Sequence, residues 1–197
     1  MSVVKYDLGH PDIVQPYFAS LELNNVAFRR DGRIEAQCAL DPASFGKTLP
    51  AENGMLLQVD KAAGLVKLPV TSANLPYALH YSTEHMYDER KVGLNEFYLL
   101  PGRNFPYPRM GYLAVGDLFT TDCISFNDTE FDDAEDLVET ITAGFAAGTA
   151  YYGGADASTG RILVSATAPA AGPVLKVVKV YTVPNGGFGL KFQVLSC

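Results

Sequence analysis

Residues 55–69 read MLLQVDKAAGLVKLP, and this segment carries the clearest structural pattern in the chain. Residues 55–59 and 65–68 are apolar-rich runs of strand length, and Asp60-Lys61-Ala62-Ala63-Gly64 between them has the composition of a turn. Glycine readily takes the positive φ that tight turns require. Pro69 has no N–H to donate to a strand ladder and therefore ends the second strand. The segment predicts a β-hairpin.

The same combination of strand and turn signals occurs on both sides of this segment. Leu21 and Leu23, and later Ile34, Ala36 and Cys38, alternate with polar residues around the turn signal 30–33, which contains Asp31-Gly32. We therefore predict a hairpin here. Near the other end, a valine-rich strand over 174–183, a turn at 184–187 and a strand over 188–195 predict another hairpin.

Further strand signals complete a β-rich pattern. Strands are predicted over 111–115, 118–126 and 160–165, with turns at 116–117 and 169–173. Turn signals about 8–12 residues apart fit an all-β sandwich or barrel. The predicted fold class is mainly β, an antiparallel barrel or sandwich with an extended N-terminal arm and at most one short helix.

The acidic segment 128–139 is the place where a helix could form. It holds seven acidic residues and no basic one. Residues 132–143 fit a short helix with Asp132 or Asp133 as N-cap, since acids near the positive helix end are favourable. A solvated loop leading to a strand over 137–142 is the alternative, and both stay open at this point.

The organisation of the chain is predicted as an extended arm over 1–19 and a β domain over 20–197. Residues 20–126 and 127–197 are candidate sub-domains. Within the first of these, residues 72–110 are irregular and rich in proline and aromatic residues. Such side chains suit a core, a subunit interface or a surface for carbohydrate or peptide.

Composition excludes several classes of function. With 48% hydrophobic and 19% charged residues, the 197-residue chain is expected to fold rather than stay disordered. Its net charge of −7 argues against nucleic acid and against anionic membranes as partners. The start of the sequence does not resemble a signal peptide, and no segment reaches the roughly 18 apolar residues of a membrane span. The cysteines, Cys38, Cys123 and Cys197, are expected to be reduced thiols, and a disulfide between two of them is the alternative.

No motif in the chain predicts a catalytic or metal centre. His80 and His85, with Asp88 and Glu89 behind them, have a spacing of five rather than the four of a zincin helix. Asp128, Glu130, Asp132 and Glu139 match some calcium-loop positions, but Asp133 stands where that loop needs glycine. The chain lacks a nucleophile elbow, a Walker A loop and a dinucleotide signature. We expect no cofactor, no metal and no enzymatic activity.

Charge is distributed unevenly along the chain. Residues 161–197 contain four basic residues and no acid, the reverse of the acidic segment 128–139. The two segments could pair within one molecule or between neighbouring molecules, or could be two unrelated solvated surfaces.

Taken together, the chain resembles the capsid decoration (cement) and minor head proteins of tailed bacteriophages. The resemblance lies in the arm Tyr6–Phe18, the hairpin 52–69, the segment 115–121 and the ending 177–195. It implies a virion structural protein, made in the host cytoplasm, that binds the capsid exterior. Its implied partners are the major capsid protein and further copies of itself.

The candidate interface residues are Tyr6, Pro11, Pro16, Tyr17, Phe18, Tyr81, Phe105 and Tyr107. A fibre or adhesin domain that recognises glycans is the alternative function. A small hydrolase with scattered catalytic residues is the third.

Overall fold

A computed structural model describes residues 19–45, 51–70, 72–81, 107–182 and 187–197. In chain order the strands are β1 (Leu21–Asn25), β2 (Ile34–Glu35), β3 (Ala39–Leu40), β4 (Leu56–Asp60), β5 (Leu65–Lys67), β6 (Tyr77–His80), β7 (Met110–Gly111), β8 (Leu118–Thr121), β9 (Ile124–Phe126), β10 (Tyr152–Ala155), β11 (Ile162–Ser165), β12 (Val174–Thr182) and β13 (Phe188–Ser196). The helices in these ranges are α1 (Ala27–Asp31), α2 (Pro42–Phe45) and α3 (Ala134–Ala146).

The strands form two sheets, so the predicted mainly β class is confirmed as a sandwich-like arrangement. Sheet A has the order β1-β8-β13-β12-β10-β11-β9, and sheet B has the order β2-β7-β6-β4-β5-β3. Most neighbours are antiparallel, but β9 pairs with β11 and β3 with β5 in parallel, which makes both sheets mixed. Helices are short, and the described ranges contain three where one at most was expected.

The hairpins predicted at 55–69 and 174–195 are confirmed. In the first, Gln58 pairs with Lys67, and Gly64 takes a φ of 68° at the turn. In the second, β12 and β13 pair antiparallel along most of their nine residues each. Both predictions succeeded because alternation and turn chemistry are local properties of the sequence.

The hairpin predicted around Asp31-Gly32 is wrong. The segment forms helix α1, and Gly32 is its left-handed C-cap with a φ of 67°, while β1 and β2 lie in different sheets. The side chain of Phe28 explains the difference, because it is fully buried and its ring lies directly over Gly111. The turn chemistry at glycine was predicted correctly, but it ends a helix rather than reversing a strand.

The strand predicted over 118–126 is two strands that turn a corner at Asp122-Cys123. β8 lies next to one edge of sheet A and β9 forms the other edge, although only two residues join them. Since two residues span only about 7 Å, sheet A must curl strongly to bring these strand ends together. The strand predicted over 111–115 is shorter than expected, because β7 ends at Gly111. Beyond this residue, the Asp117 carboxylate accepts hydrogen bonds from the N–H groups of Ala114 and Ala27, and these bonds hold the chain in a turn.

Residues 132–143, for which helix and loop were both open, belong mostly to helix α3. Asp133 is the N-cap, and its carboxylate accepts hydrogen bonds from the N–H groups of Glu135 and Asp136. Leu137 and Ile141, four positions apart, are fully buried on one side of the helix. The spacing of Leu137 and Ile141 therefore reflects the buried face of a helix and not a strand.

The hydrophobic core fills both faces of sheet B. On one face of sheet B, Leu56 and Leu79 belong to a core cluster that also contains Phe119 and Phe192 of sheet A and the buried side of α3. The alternate residues Leu57 and Ala78 face a second cluster that includes Cys38, Phe45 and Cys123. Strand β6 lies in the region that the sequence had indicated as irregular, and its burial on both faces explains the lack of polar alternation.

Strands on both sides of residue 126 share one sheet. β8 pairs with β13, and β9 pairs with β11. The candidate sub-domains 20–126 and 127–197 therefore do not correspond to the two sheets. The predicted arm, apart from Ala19, lies outside the described residues, as does the turn at 184–186.

Candidate functional site

Five chemically versatile side chains meet where the two sheets join, and we call them the junction cluster: Glu52, His80, Asp122, Cys123 and Arg161. Glu52 precedes β4, His80 ends β6, Asp122 and Cys123 form the corner between β8 and β9, and Arg161 precedes β11. All five are at most 1% exposed. This group of ionisable side chains is therefore enclosed by the fold and not presented to solvent.

The charged centre of the junction cluster is an ion pair. The Nη2 group of Arg161 donates to Oε2 of Glu52 across 109 positions of sequence. Burying either charge alone is strongly unfavourable, so a buried arginine requires a partner of this kind. The pair connects the segment before β4 of sheet B to the residue before β11 of sheet A.

His80 is held neutral by its surroundings. Its Nδ1 lies 2.8 Å from the backbone oxygen of Glu52, and because a carbonyl oxygen only accepts, Nδ1 carries the proton and donates it. Complete burial, together with the nearby charge of Arg109, lowers the pKa of His80 from 6.5 to about 4, and the Glu52 carbonyl opposes this shift. The ring is therefore uncharged at neutral pH and fully buried.

The corner residues of the junction cluster are tied to the residue before β1. Asp122 Oδ1 accepts a hydrogen bond of 2.5 Å from the N–H of Ser20. Thr121 Oγ1 donates to the Ser20 carbonyl at 2.7 Å and accepts from the Cys123 N–H at 3.0 Å. These bonds fix the corner at which the chain passes from β8 to the edge strand β9 of sheet A.

The thiol of Cys123 is unsuited to nucleophilic chemistry. Burial raises the pKa of Cys123 far above its usual range, and Glu52 and Asp122 add to the increase while Arg161 opposes it. Reactive cysteines need the opposite conditions, a stabilised thiolate with partial exposure. All three thiols are free, with Cys38 and Cys123 buried and Cys197 exposed.

Close packing of backbone completes the junction. Gly54 has a φ of 92°, and a Cβ at this position would lie 2.4 Å from Oγ1 of Thr121 and 2.8 Å from Cβ of Cys123. The N–H of Gly54 donates to the His80 carbonyl at 2.8 Å, and the N–H of Leu56 donates to the Gly160 carbonyl at 2.8 Å. Glycine is therefore required at residue 54 both for its backbone conformation and for space.

Two of the eight predicted interface residues lie in the described ranges. The ring of Tyr81 is half-buried, with its centroid 5.1 Å from that of Phe28 and 6.0 Å from the guanidinium of Arg109. Desolvation raises the pKa of Tyr81, so its hydroxyl stays neutral. Tyr107 is 53% exposed and presents its ring to solvent. Tyr6, Pro11, Pro16, Tyr17, Phe18 and Phe105 lie outside the described residues.

The candidate metal ligands have other roles where the structure describes them. Glu130 accepts hydrogen bonds from Ser165 Oγ and the Ala166 N–H, Asp133 caps α3, and Asp136 accepts from the Asp132 N–H. Within the described parts of the chain, no group of three or more His, Cys, Asp or Glu residues is arranged to hold a metal ion. His85, Asp88 and Glu89 lie outside these parts.

The outward face of the β12–β13 hairpin is a surface that sequence analysis did not single out by residue. Lys179 pairs directly with Lys191, and Lys176 pairs with Gln193 on the same face. The ammonium groups of Lys179 and Lys191 lie 4.5 and 5.9 Å from the centroid of the Tyr181 ring. The sequence signal for this surface is the alternation of lysine with valine in β12. The alternation defines a surface only once the register of β12 with β13 is known.

In the residues that the structure describes, none of the helices combines the length and hydrophobicity needed to span a bilayer. Comparison of the chain with protein-family models, with curated proteins and with solved structures gives no match.

Proposed function

We propose that this protein is a non-enzymatic virion structural protein that binds and stabilises a phage capsid shell as a decoration or minor head protein. The observation that carries the proposal is a contrast between two parts of the molecule. The ionisable side chains of the junction cluster are buried, whereas apolar side chains suited to protein contacts are exposed on the outer surface. The junction cluster holds its ionisable side chains at 1% exposure or less. These groups join the two sheets, and their burial leaves the outer surface as the part that meets other molecules.

The outer surface offers groups suited to protein contacts. Among the described residues, seven large apolar side chains are exposed: Ile34, Val70, Tyr107, Val115, Val178, Phe188 and Leu195. Val115 is 71% exposed at a turn where Gly116 fixes the backbone with a φ of 91°. Rigid turns and paired strands hold such side chains in place, which limits the entropy lost when they are covered by a partner.

The partners that fit this proposal are the major capsid protein and further copies of this chain, on the exterior of the virion. Many identical copies on a symmetric shell multiply modest contacts into stable attachment. The net charge of −7 supports protein partners over nucleic acid or anionic lipid. No cofactor has a part in this role.

A binding assay with assembled shells tests the proposal. Shells of the major capsid protein encoded nearest to this chain's gene are mixed with increasing amounts of the full chain and pelleted by centrifugation. We expect saturable co-sedimentation and shells that withstand higher temperature before they break. A chain that stays in the supernatant at every concentration contradicts the proposal. A variant lacking residues 1–18 is expected to keep its circular dichroism spectrum and to lose shell binding.

The exposed ring of Tyr107 favours a glycan-binding module as the second candidate function. A glycan array distinguishes the two. Binding to a defined glycan that is lost in Tyr107→Ala, combined with no binding to shells, replaces the capsid proposal. The half-buried Tyr81 is a poor control because its ring packs on Phe28, so an exposed residue of another type, such as Val70→Ser, is the matched control.

A further inference from the structure

The outward face of β12–β13 carries a cluster of positive charge without a negative neighbour in its own segment. Lys179 and Lys191 are direct cross-strand partners, and directly opposed like charges destabilise a strand pair. The Tyr181 ring lies against both ammonium groups and offsets part of this repulsion. Val178 beside them is 38% exposed, so the face has an apolar component as well.

Helix α3 carries the complementary pattern. Glu135 and Glu139 are both exposed and lie four positions apart, which places them side by side on the helix surface. Leu137 and Ile141 are buried on the opposite side of the helix. Two glutamates at this spacing repel each other, as the two lysines do.

The two surfaces do not neutralise each other within one molecule. Among the described residues, no ion pair joins an acid of segment 128–139 to Lys176, Lys179 or Lys191. The ion pairs of the described residues include Lys61–Glu35, Lys67–Asp60 and Arg161–Glu52. Within the described ranges, Arg161 is the one basic residue of 161–197 that has an ion-pair partner, and that partner is distant in sequence from the acidic segment. Among the described residues the two segments meet through hydrogen bonds from Ser165 and Ala166 to Glu130, but the three lysines make no ion pair with the acidic segment.

We propose that the lysine face of one copy, Lys179 and Lys191, docks against Glu135 and Glu139 of α3 in a second copy. The spacing of the charges supports the match, since i,i+4 Cβ atoms on a helix are about 5–6 Å apart. Directly opposed residues on antiparallel strands are about 4.5–5.5 Å apart. Two parallel ion pairs then relieve two like-charge repulsions, one on each copy. This inference rests on the self-association that the proposed function includes.

The contact joins two different surfaces, so it is heterologous. Each copy has one lysine face and one acidic helix, so the contact can repeat from copy to copy, as a ring where the rotation closes and as an open filament where it does not. Because its charges are at the surface, the association is expected to weaken as salt is raised.

Charge reversal tests the contact by sedimentation velocity of the full chain at low ionic strength. The first variant carries Lys179→Glu and Lys191→Glu, and the second carries Glu135→Lys and Glu139→Lys. Each is expected to raise the dissociation constant of the oligomer by tenfold or more. A chain with all four changes, and an equimolar mixture of the two variants, are expected to restore association. Arg30→Glu, an exposed reversal on α1, is the matched control and leaves association unchanged.

The restoration separates a specific contact from a general effect of charge or misfolding. A wild-type chain that is monomeric at every concentration overturns the inference, as do reversals without effect or a fourfold variant that stays dissociated. Shell binding is measured on the same samples. Association that is insensitive to the reversals, with shells still bound, overturns only this contact, whereas an oligomer that follows the reversals but never binds shells overturns only the capsid role.

Discussion

Acidification should destabilise this protein through one fully buried histidine, His80. The perturbation is a change of pH between about 7 and 4, applied to the wild type and to His80→Asn. Asparagine places an amide N–H near the position of Nδ1, so it retains a donor for the Glu52 carbonyl but has no group that titrates in this range.

The size of the effect follows from the two pKa values. In the unfolded chain the histidine binds a proton below about 6.5, whereas in the folded protein burial lowers the pKa of His80 to about 4. Between these values the unfolded state holds more protons, so the free energy of unfolding falls as pH falls. A difference of about 2.5 units at 1.36 kcal/mol each gives a loss of about 3 kcal/mol.

Urea unfolding at several pH values measures the effect in both proteins. The two proteins share all their other titratable groups, so the difference between the two pH profiles isolates the histidine. We expect the wild type to lose about 3 kcal/mol more than His80→Asn between pH 7 and 4. Parallel profiles would refute the argument, because they would mean that the histidine accepts a proton in the folded state as easily as in the unfolded one. The variant's lower overall stability does not affect this comparison.

Three further predictions concern packing and the thiols. Arg161→Met should lower the free energy of unfolding by about 3–5 kcal/mol, because it leaves Glu52 charged and buried. The double variant with Glu52→Gln should lose less stability than the two single variants summed. Additive losses in a double-mutant cycle measured by urea unfolding would contradict the ion pair. Gly144→Ala should lower the free energy of unfolding by about 1–3 kcal/mol although alanine favours helices, because its Cβ would lie 2.5 Å from a tyrosine ring. A higher midpoint of urea unfolding in the variant would contradict this prediction. Maleimide should label Cys197 in the folded protein and Cys123 only after unfolding, as mass spectrometry can check.

Local signals were sufficient for much of the fold. The hairpins at 55–69 and 174–195 were predictable because each is complete within about 20 residues and depends only on alternation and turn chemistry. The helical alternative for 132–143 was available for the same reason, since an N-cap and an apolar spacing of four lie within three turns.

Long-range contacts decided the parts that local signals missed. Asp31-Gly32 carries a hairpin signature, but the burial of Phe28 against Gly111 makes the preceding residues a helix. That contact joins positions 83 apart, and no pattern around Phe28 indicates it. Tertiary packing overrode a local preference here, as it commonly does for short segments.

The junction cluster was inaccessible to sequence analysis for the same physical reason. Glu52 and Arg161 are 109 positions apart, and each stands in a segment where a charged residue normally indicates solvent. His80 was considered as a metal ligand because of its neighbour His85, while its actual partner is a backbone carbonyl 28 positions away. Candidate interface residues were identified by type, and only register and burial show which of them face outward.

The lysine face and the junction cluster show how the chain uses charge in two different ways. A buried charge must be satisfied by a partner within the fold, because desolvation would otherwise oppose folding by several kcal/mol. Arg161 meets this requirement through Glu52. A surface charge can stay solvated at little cost, so Lys179 and Lys191 can remain opposed in the free molecule until another surface covers them. The basic segment 161–197 therefore divides into one residue that stabilises the fold and three that are available for association.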